Sequence, residues 1–184
     1  CWAALAAVGV GLVAAAWTLT GGVELAAGEG LRRSIYPAAG TYRLTWEGEG
    51  EVQVVIESQN REQAMMHTST QLYRGTLDQA EFTAPEDSLV VWLRFTAQTP
   101  AQMGRVSYAG AAGEGTVRLG YRLLPGFIAN RLQGLRANQN AIQRLVFFED
   151  GLKLFARSPV LGQGLGAFEN GVRSVQSFEY DTKY

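Results

Sequence analysis

Between residues 40 and 125 the chain repeats one pattern: short segments of alternating apolar and polar side chains, bounded by Gly, Pro, Asp or Asn, with no long helical stretch between them. In TYRLTWE, Tyr42, Leu44 and Trp46 alternate with Thr41, Arg43 and Thr45; in EVQVVIE, Val52, Val54 and Ile56 repeat the same period. Successive strand side chains point to opposite faces, so a period of two marks half-buried β-strands. The EGEGE between these two segments reads as a turn, which predicts a hairpin. Further strands follow at QLYRGTL, AEFTA, SLVVWLRFTA, GRVSYAG and GTVRLGYRLL. In SLVVWLRFTA, Leu89, Val91, Leu93 and Phe95 share one face and Val90 and Trp92 the other, so it belongs in the middle of a sheet. The expected fold is mainly β with flanking helices: an antiparallel β-sandwich over residues 40–125, with Leu89, Val91, Leu93, Phe95, Val54 and Ile56 in its core and helix only before and after it.

The N-terminal residues impose a second constraint. From Cys1 to Val23 there is no charged residue, and the run is long enough for a helix to cross the roughly 30 Å hydrocarbon layer of a bilayer. Residues 1–23 are therefore expected to form a transmembrane helix, with Trp2 and Trp17 near the interfaces and a surplus of Ala and Gly suited to packing against other helices. A signal peptide would carry a basic n-region, which is not visible but which truncation would remove, so that reading stays open; a lipidated N-terminal cysteine would be followed by a polar tether and a buried soluble helix would have a polar face, and neither is visible. A chain that starts inside such a run, without Met, is expected to be a piece of something longer. Residues 24–39, ELAAGEGLRRSIYPAA, turn abruptly to Gly, charge and Pro and read as a linker.

Composition excludes several functions. The net charge of -1 offers no basic excess for a phosphate backbone, so no nucleic acid is expected as a partner. A single cysteine, Cys1, cannot form an internal disulfide, and a single histidine, His67, has no neighbouring ligand set, so no metal or cofactor is expected.

In APEDSLVVWLRFTA a Pro-Glu-Asp turn leads into a long strand, and here the sandwich resembles the galactose-binding-like jelly-roll modules of many secreted and cell-surface proteins. By residue type Tyr73, Trp46 and Trp92 are the candidates for a sugar platform. Aromatics on alternating strands are also what a core requires, and that reading is the simpler one.

After Pro125 and Gly126 the sequence turns helical over residues 126–184. A first piece is expected over Phe127–Leu135, and a second, capped by Asn138 or Asn140, ending at Arg157 because Ser158-Pro159 cannot continue it. On a helical wheel of about 100° per residue, Arg144, Phe148, Gly151 and Phe155 form one stripe with Phe147 beside it. Ile142, Leu145, Val146, Glu149, Lys153 and Ala156 lie opposite. Neither side is purely polar, which predicts a helix covered on most sides by its own domain or by a membrane and other helices.

The stretch RLVFFEDGLKLFARSPVLGQGLGAF, with Arg144, a helix, then Pro159, Gly162, Gly164 and Phe168, resembles the O-antigen ligase and polymerase family of integral-membrane glycosyltransferases. The likeness covers about residues 131–184, and the sandwich is then an insertion into that family's large outward-facing loop. The resemblance implies transfer of a glycan from an undecaprenyl-diphosphate carrier to an acceptor glycan, lipid or protein at the outer face of the cytoplasmic membrane, with no nucleotide sugar or obligatory metal. It makes Arg144 the catalytic arginine, which holds the leaving diphosphate. Arg131 and Arg136 become candidates for the diphosphate or lipid headgroups, and Gly162 and Gly164 let the backbone approach it. In the full-length, multi-pass protein, residues 24–184 would lie on the extracellular or periplasmic side. The family's acceptor-side histidine has no counterpart after His67, so this chain alone is expected to be inactive. Two alternatives stand beside this reading: Arg144 as an ordinary ion-pair partner of Glu149 or of a carboxylate elsewhere, and the whole chain as a non-enzymatic membrane-anchored or secreted β-sandwich module that binds glycans or a protein.

Overall fold

The computed structural model describes residues 20–121, 139–159, 166 and 171–177. The expected transmembrane helix falls on residues outside this set, save for its last few. Those few are β-strand: β1 spans Thr20–Gly21 and β2 Val23–Leu25. Among the described residues no helix is long and apolar enough to cross a membrane.

The chain is mainly antiparallel β. The strands β3 (Gly30–Ile35), β4 (Gly40–Glu49), β5 (Val52–Gln59), β6 (Thr70–Thr76), β7 (Glu81–Ala84), β8 (Val90–Ala97), β9 (Ala101–Gly110) and β10 (Gly113–Val117) are followed by a short β11 (Gly120–Tyr121). A four-stranded sheet runs in the order β3-β8-β5-β6, a second runs β10-β9-β4-β7 with β2 also paired to β9, and β1 pairs with β11. Tyr42, Leu44, Met103 and Val106 from the second sheet and Val54, Ile56, Val91, Leu93 and Phe95 from the first lie in one buried cluster. Tyr42 anchors it, stacked on Phe82 with ring centroids 5.6 Å apart and edge-on to Tyr108 at the same distance.

Several sequence expectations need correction. Residues 24–39 are not a linker: β2 pairs with β9, and β3 pairs with β8 along Gly30–Ile35. The charges of Arg32 and Arg33 hide that strand from a pattern search: Arg32 is exposed opposite Arg94, and the half-buried Arg33 donates to Leu119 O. The segments TYRLTWE and EVQVVIE do not form a hairpin either. The first pairs with β7 and β9 and the second with β6 and β8, so the chain changes sheets at Gly50. Gly50 has φ +104°, and a Cβ there would stand 2.7 Å from that of Ala101; the sharp corner between sheets excludes a side chain. Leu89 is 36% exposed, because it precedes the last registered pair, Gln59↔Val90, and so projects beyond the covered end of the sheet.

Helix does occur inside the sheets. The six-residue α1 (Arg61–Met66) is shorter than two turns and follows β5. A reciprocal cap opens it: Gln63 N donates to Asn60 Oδ1 at 2.8 Å and Asn60 N donates to Gln63 Oε1 at 3.0 Å. His67 closes it in the left-handed conformation, φ 56°. Asn60→Ala removes this cap and is expected to cost about 1 kcal/mol in urea unfolding, with the slope of the transition unchanged.

Candidate functional site

The helix expected from the sequence is present as α2, Gln139–Ala156, with Ser158 N bonding to Phe155 O in a tightened last turn just before Pro159. Its buried line is Ile142, Val146, Asp150 and Leu154, one residue per turn. α2 contacts α1. Arg61 Nη2 donates to Glu149 Oε2 at 2.5 Å, and Gln143 Nε2 lies 3.3 Å from His67 Nε2. Both links sit near the surface, and Arg61→Ala is expected to lower stability by no more than about 1 kcal/mol.

The opposite face is exposed and mostly apolar. Leu145 (53% exposed), Phe148 (65%), Leu152 (51%) and Phe155 (59%) form a stripe along it, with the exposed Arg144 and half-buried Gly151 on the same side. Arg144, Phe148, Gly151 and Phe155 therefore share a face as the wheel places them. Leu145 does not oppose that stripe but joins it, while Leu154 turns inward and Phe147 is half-buried. The wheel distinguishes sides; only tertiary contacts, with α1 and with the segment 171–177, decide which side is covered.

Charge on α2 is distributed unevenly. Glu149 pairs with Arg61 and not with Arg144. Asp150 is fully buried and accepts from Lys153 Nζ at 2.8 Å, from Ser177 Oγ at 2.8 Å and from Ser177 N at 3.1 Å. Arg157 Nη1 donates to Ser174 Oγ at 2.6 Å and Nη2 to Ser174 O at 3.1 Å. The segment 171–177, with its single turn Val172–Ser174, is thus held against α2 at two points. Among the described residues Arg144 has no hydrogen-bond or ion-pair partner.

Arg131, Arg136, Gly162, Gly164 and Phe168 lie outside the described residues. Gly166, in the same glycine-rich element, is exposed with φ +75°, a conformation that favours glycine. The aromatic sugar-platform candidates are each engaged otherwise. Trp46 Nε1 donates to Asp78 Oδ1 at 2.6 Å, Tyr73 packs against the core and donates its hydroxyl to Thr76 O, and Trp92 lies under the Arg32 guanidinium, 4.0 Å from its ring centre. Sequence reasoning missed the Asp150, Lys153 and Ser177 cluster. The three-residue spacing of Asp150 and Lys153 was legible, but Ser177 joins them only through the tertiary fold.

Among the described residues no group of His, Cys, Asp and Glu is placed to hold a metal ion. The chain matches no protein-family model and no curated protein.

Proposed function

We propose that this chain is part of a membrane glycosyltransferase of the O-antigen ligase type, which moves a glycan from an undecaprenyl-diphosphate carrier to an acceptor glycan, lipid or protein at the outer face of the cytoplasmic membrane. In this reading the two sheets form a jelly-roll-like sandwich inserted in the enzyme's outward-facing loop, and α2 belongs to the loop itself. One observation carries it: Arg144 stands without a described partner on an apolar, exposed helix face, while Glu149, Asp150 and Lys153 are each paired within the chain. Four large apolar side chains on one exposed stripe call for a cover, and lipid or neighbouring helices supply it at a membrane surface. A guanidinium beside such a cover is costly unless an anion compensates it.

The lipid-linked diphosphate is that anion. The oxygen of an acceptor hydroxyl forms the new bond to the anomeric carbon as the bond to the diphosphate oxygen breaks; the departing electron pair stays on the diphosphate and the hydroxyl proton passes to water. Arg144 meets this growing charge with two parallel N–H donors, a contact stronger in the transition state than before it. Arg131 and Arg136 are assigned to the diphosphate or to headgroups, and Gly162 and Gly164 to a backbone that comes close to it.

The full-length protein, reconstituted in vesicles with a labelled lipid-linked glycan and acceptor, is expected to transfer the label without a nucleotide sugar; no transfer would overturn the assignment. Orientation has its own test. A cysteine at Thr45, exposed on β4, is expected to react with a membrane-impermeant reagent on intact cells, and protection of that site would place the sheets on the wrong side.

A further inference from the structure

The outward face of the four-stranded sheet carries a row of arginines that the sequence does not display. Arg32 on β3 lies directly opposite Arg94 on β8, Arg94 opposite Val55 on β5, and Val55 opposite Arg74 on β6. All three arginines are exposed. Like charges directly opposite on neighbouring strands repel, so this register is unfavourable by itself. Compensation from within the chain is partial. Glu57 Oε2 is 3.8 Å from Arg94 Nη2, Arg32 is stacked on Trp92, and among the described residues Arg74 has no ion pair. Desolvation, and then the charge of Arg94, push the Arg32 pKa below its ordinary value, against the pull of Glu57. Three guanidinium groups and one carboxylate share this face of a chain whose net charge is -1, so the local excess does not come from a basic composition.

The next row along the strands is built for hydrogen bonding. Gln53 stands opposite Thr96 on one side and Thr76 on the other, at positions that alternate with the buried Val54 and Phe95. The face is therefore a flat grid with cations in one row and amide and hydroxyl groups in the adjacent one, about 7 Å away. Stacking on Trp92 holds the Arg32 fork in one orientation and lowers the ordering cost of a second partner.

From this grid we infer that the outer face of the four-stranded sheet binds an acidic glycan, its carboxylates seated on Arg32, Arg94 and Arg74 and its hydroxyls on Gln53, Thr76 and Thr96. Carboxylates and hydroxyls repeating along one chain match cations and neutral polar groups in parallel rows. A lipid surface fits less well, because the large exposed apolar side chains lie elsewhere, chiefly on α2. The inference does not rest on the role of Arg144 in transfer.

Calorimetric titration of the full chain with polygalacturonate, a uronate polymer, and with dextran, a neutral one, tests it. Arms with phosphatidylglycerol vesicles and a single-stranded oligonucleotide distinguish other anions. The expected result is binding of polygalacturonate but not dextran, weakened about tenfold by Arg32→Gln and by Arg94→Gln. Relief of the opposed charges should leave the melting temperature of both variants unchanged or raised. Arg74→Gln, at an exposed site without a described ion pair, is the further variant if either of the others fails to fold. Equal response to dextran, unchanged affinity in the folded variants, or stronger binding to vesicles or oligonucleotide overturns the inference.

Discussion

Arg144→Lys in the full-length protein is expected to lower glycan transfer about a hundredfold, equivalent to about 3 kcal/mol of lost transition-state stabilisation. Lysine keeps the charge but presents a point cation in place of a planar fork, so it cannot hold two oxygens of a departing diphosphate in parallel. The substitution should not disturb folding, because Arg144 is exposed on α2 and has no partner among the described residues. Donor binding should weaken less than the rate falls, since the contact grows as charge develops. Transfer rates for wild type and variant at matched membrane levels are the measurement, and a near-normal rate for the lysine form would remove Arg144 from the chemistry. Arg157→Lys is the control. Arg157 lies just past α2 and is bonded twice to Ser174. Lysine retains one of those bonds, so a slight loss of local stability without loss of transfer is expected.

Asp150→Ala should produce the largest structural effect, a loss of about 2–3 kcal/mol. The carboxylate is wholly buried and satisfies Ser177 at both its amide and hydroxyl as well as Lys153. Alanine leaves the amide of Ser177 without its acceptor and a gap on the buried line of α2 between Val146 and Leu154. Lys153, about half exposed, can return to water, which keeps the cost below that of a fully buried ion pair. Hydrogen exchange is the informative readout: amides of 171–177 and of the second half of α2 should lose protection while β4, β5 and β8 keep theirs. Asp150→Asn preserves the volume and one acceptor and should lose less. Wild-type protection in the alanine form would show that the segment is held by something other than this cluster.

The comparison of sequence with structure divides along the range of the interactions involved. Periodicity is local, and it marked β4, β5, β8 and α2 correctly because alternation and helical stripes depend on neighbours a few residues away. The burial of Val54, Ile56, Val91, Leu93 and Phe95 was legible for the same reason. The partner of each strand was not. A glycine-rich EGEG corner serves a hairpin and a change of sheet equally well, and the choice follows from which surfaces β4 and β5 can cover, a property of β8 and β9 far along the chain.

Charged side chains obeyed the same division. The presence of Arg144 on a stripe with Phe148, Gly151 and Phe155 was determined by helical geometry alone. That this stripe is the exposed one was decided by tertiary contacts: Arg61 of α1 takes Glu149 from 88 residues away, Ser177 bonds Asp150, and the line of Ile142, Val146, Asp150 and Leu154 is buried. Arg32, Arg94 and Arg74 are scattered in sequence and carry no motif, yet strand register sets them in one row. Sequence by itself determined where strongly periodic elements such as β4, β5, β8 and α2 form, because their side-chain periods are local. Only the tertiary structure decided which faces meet, because burial and charge pairing depend on residues that the chain brings together from a distance.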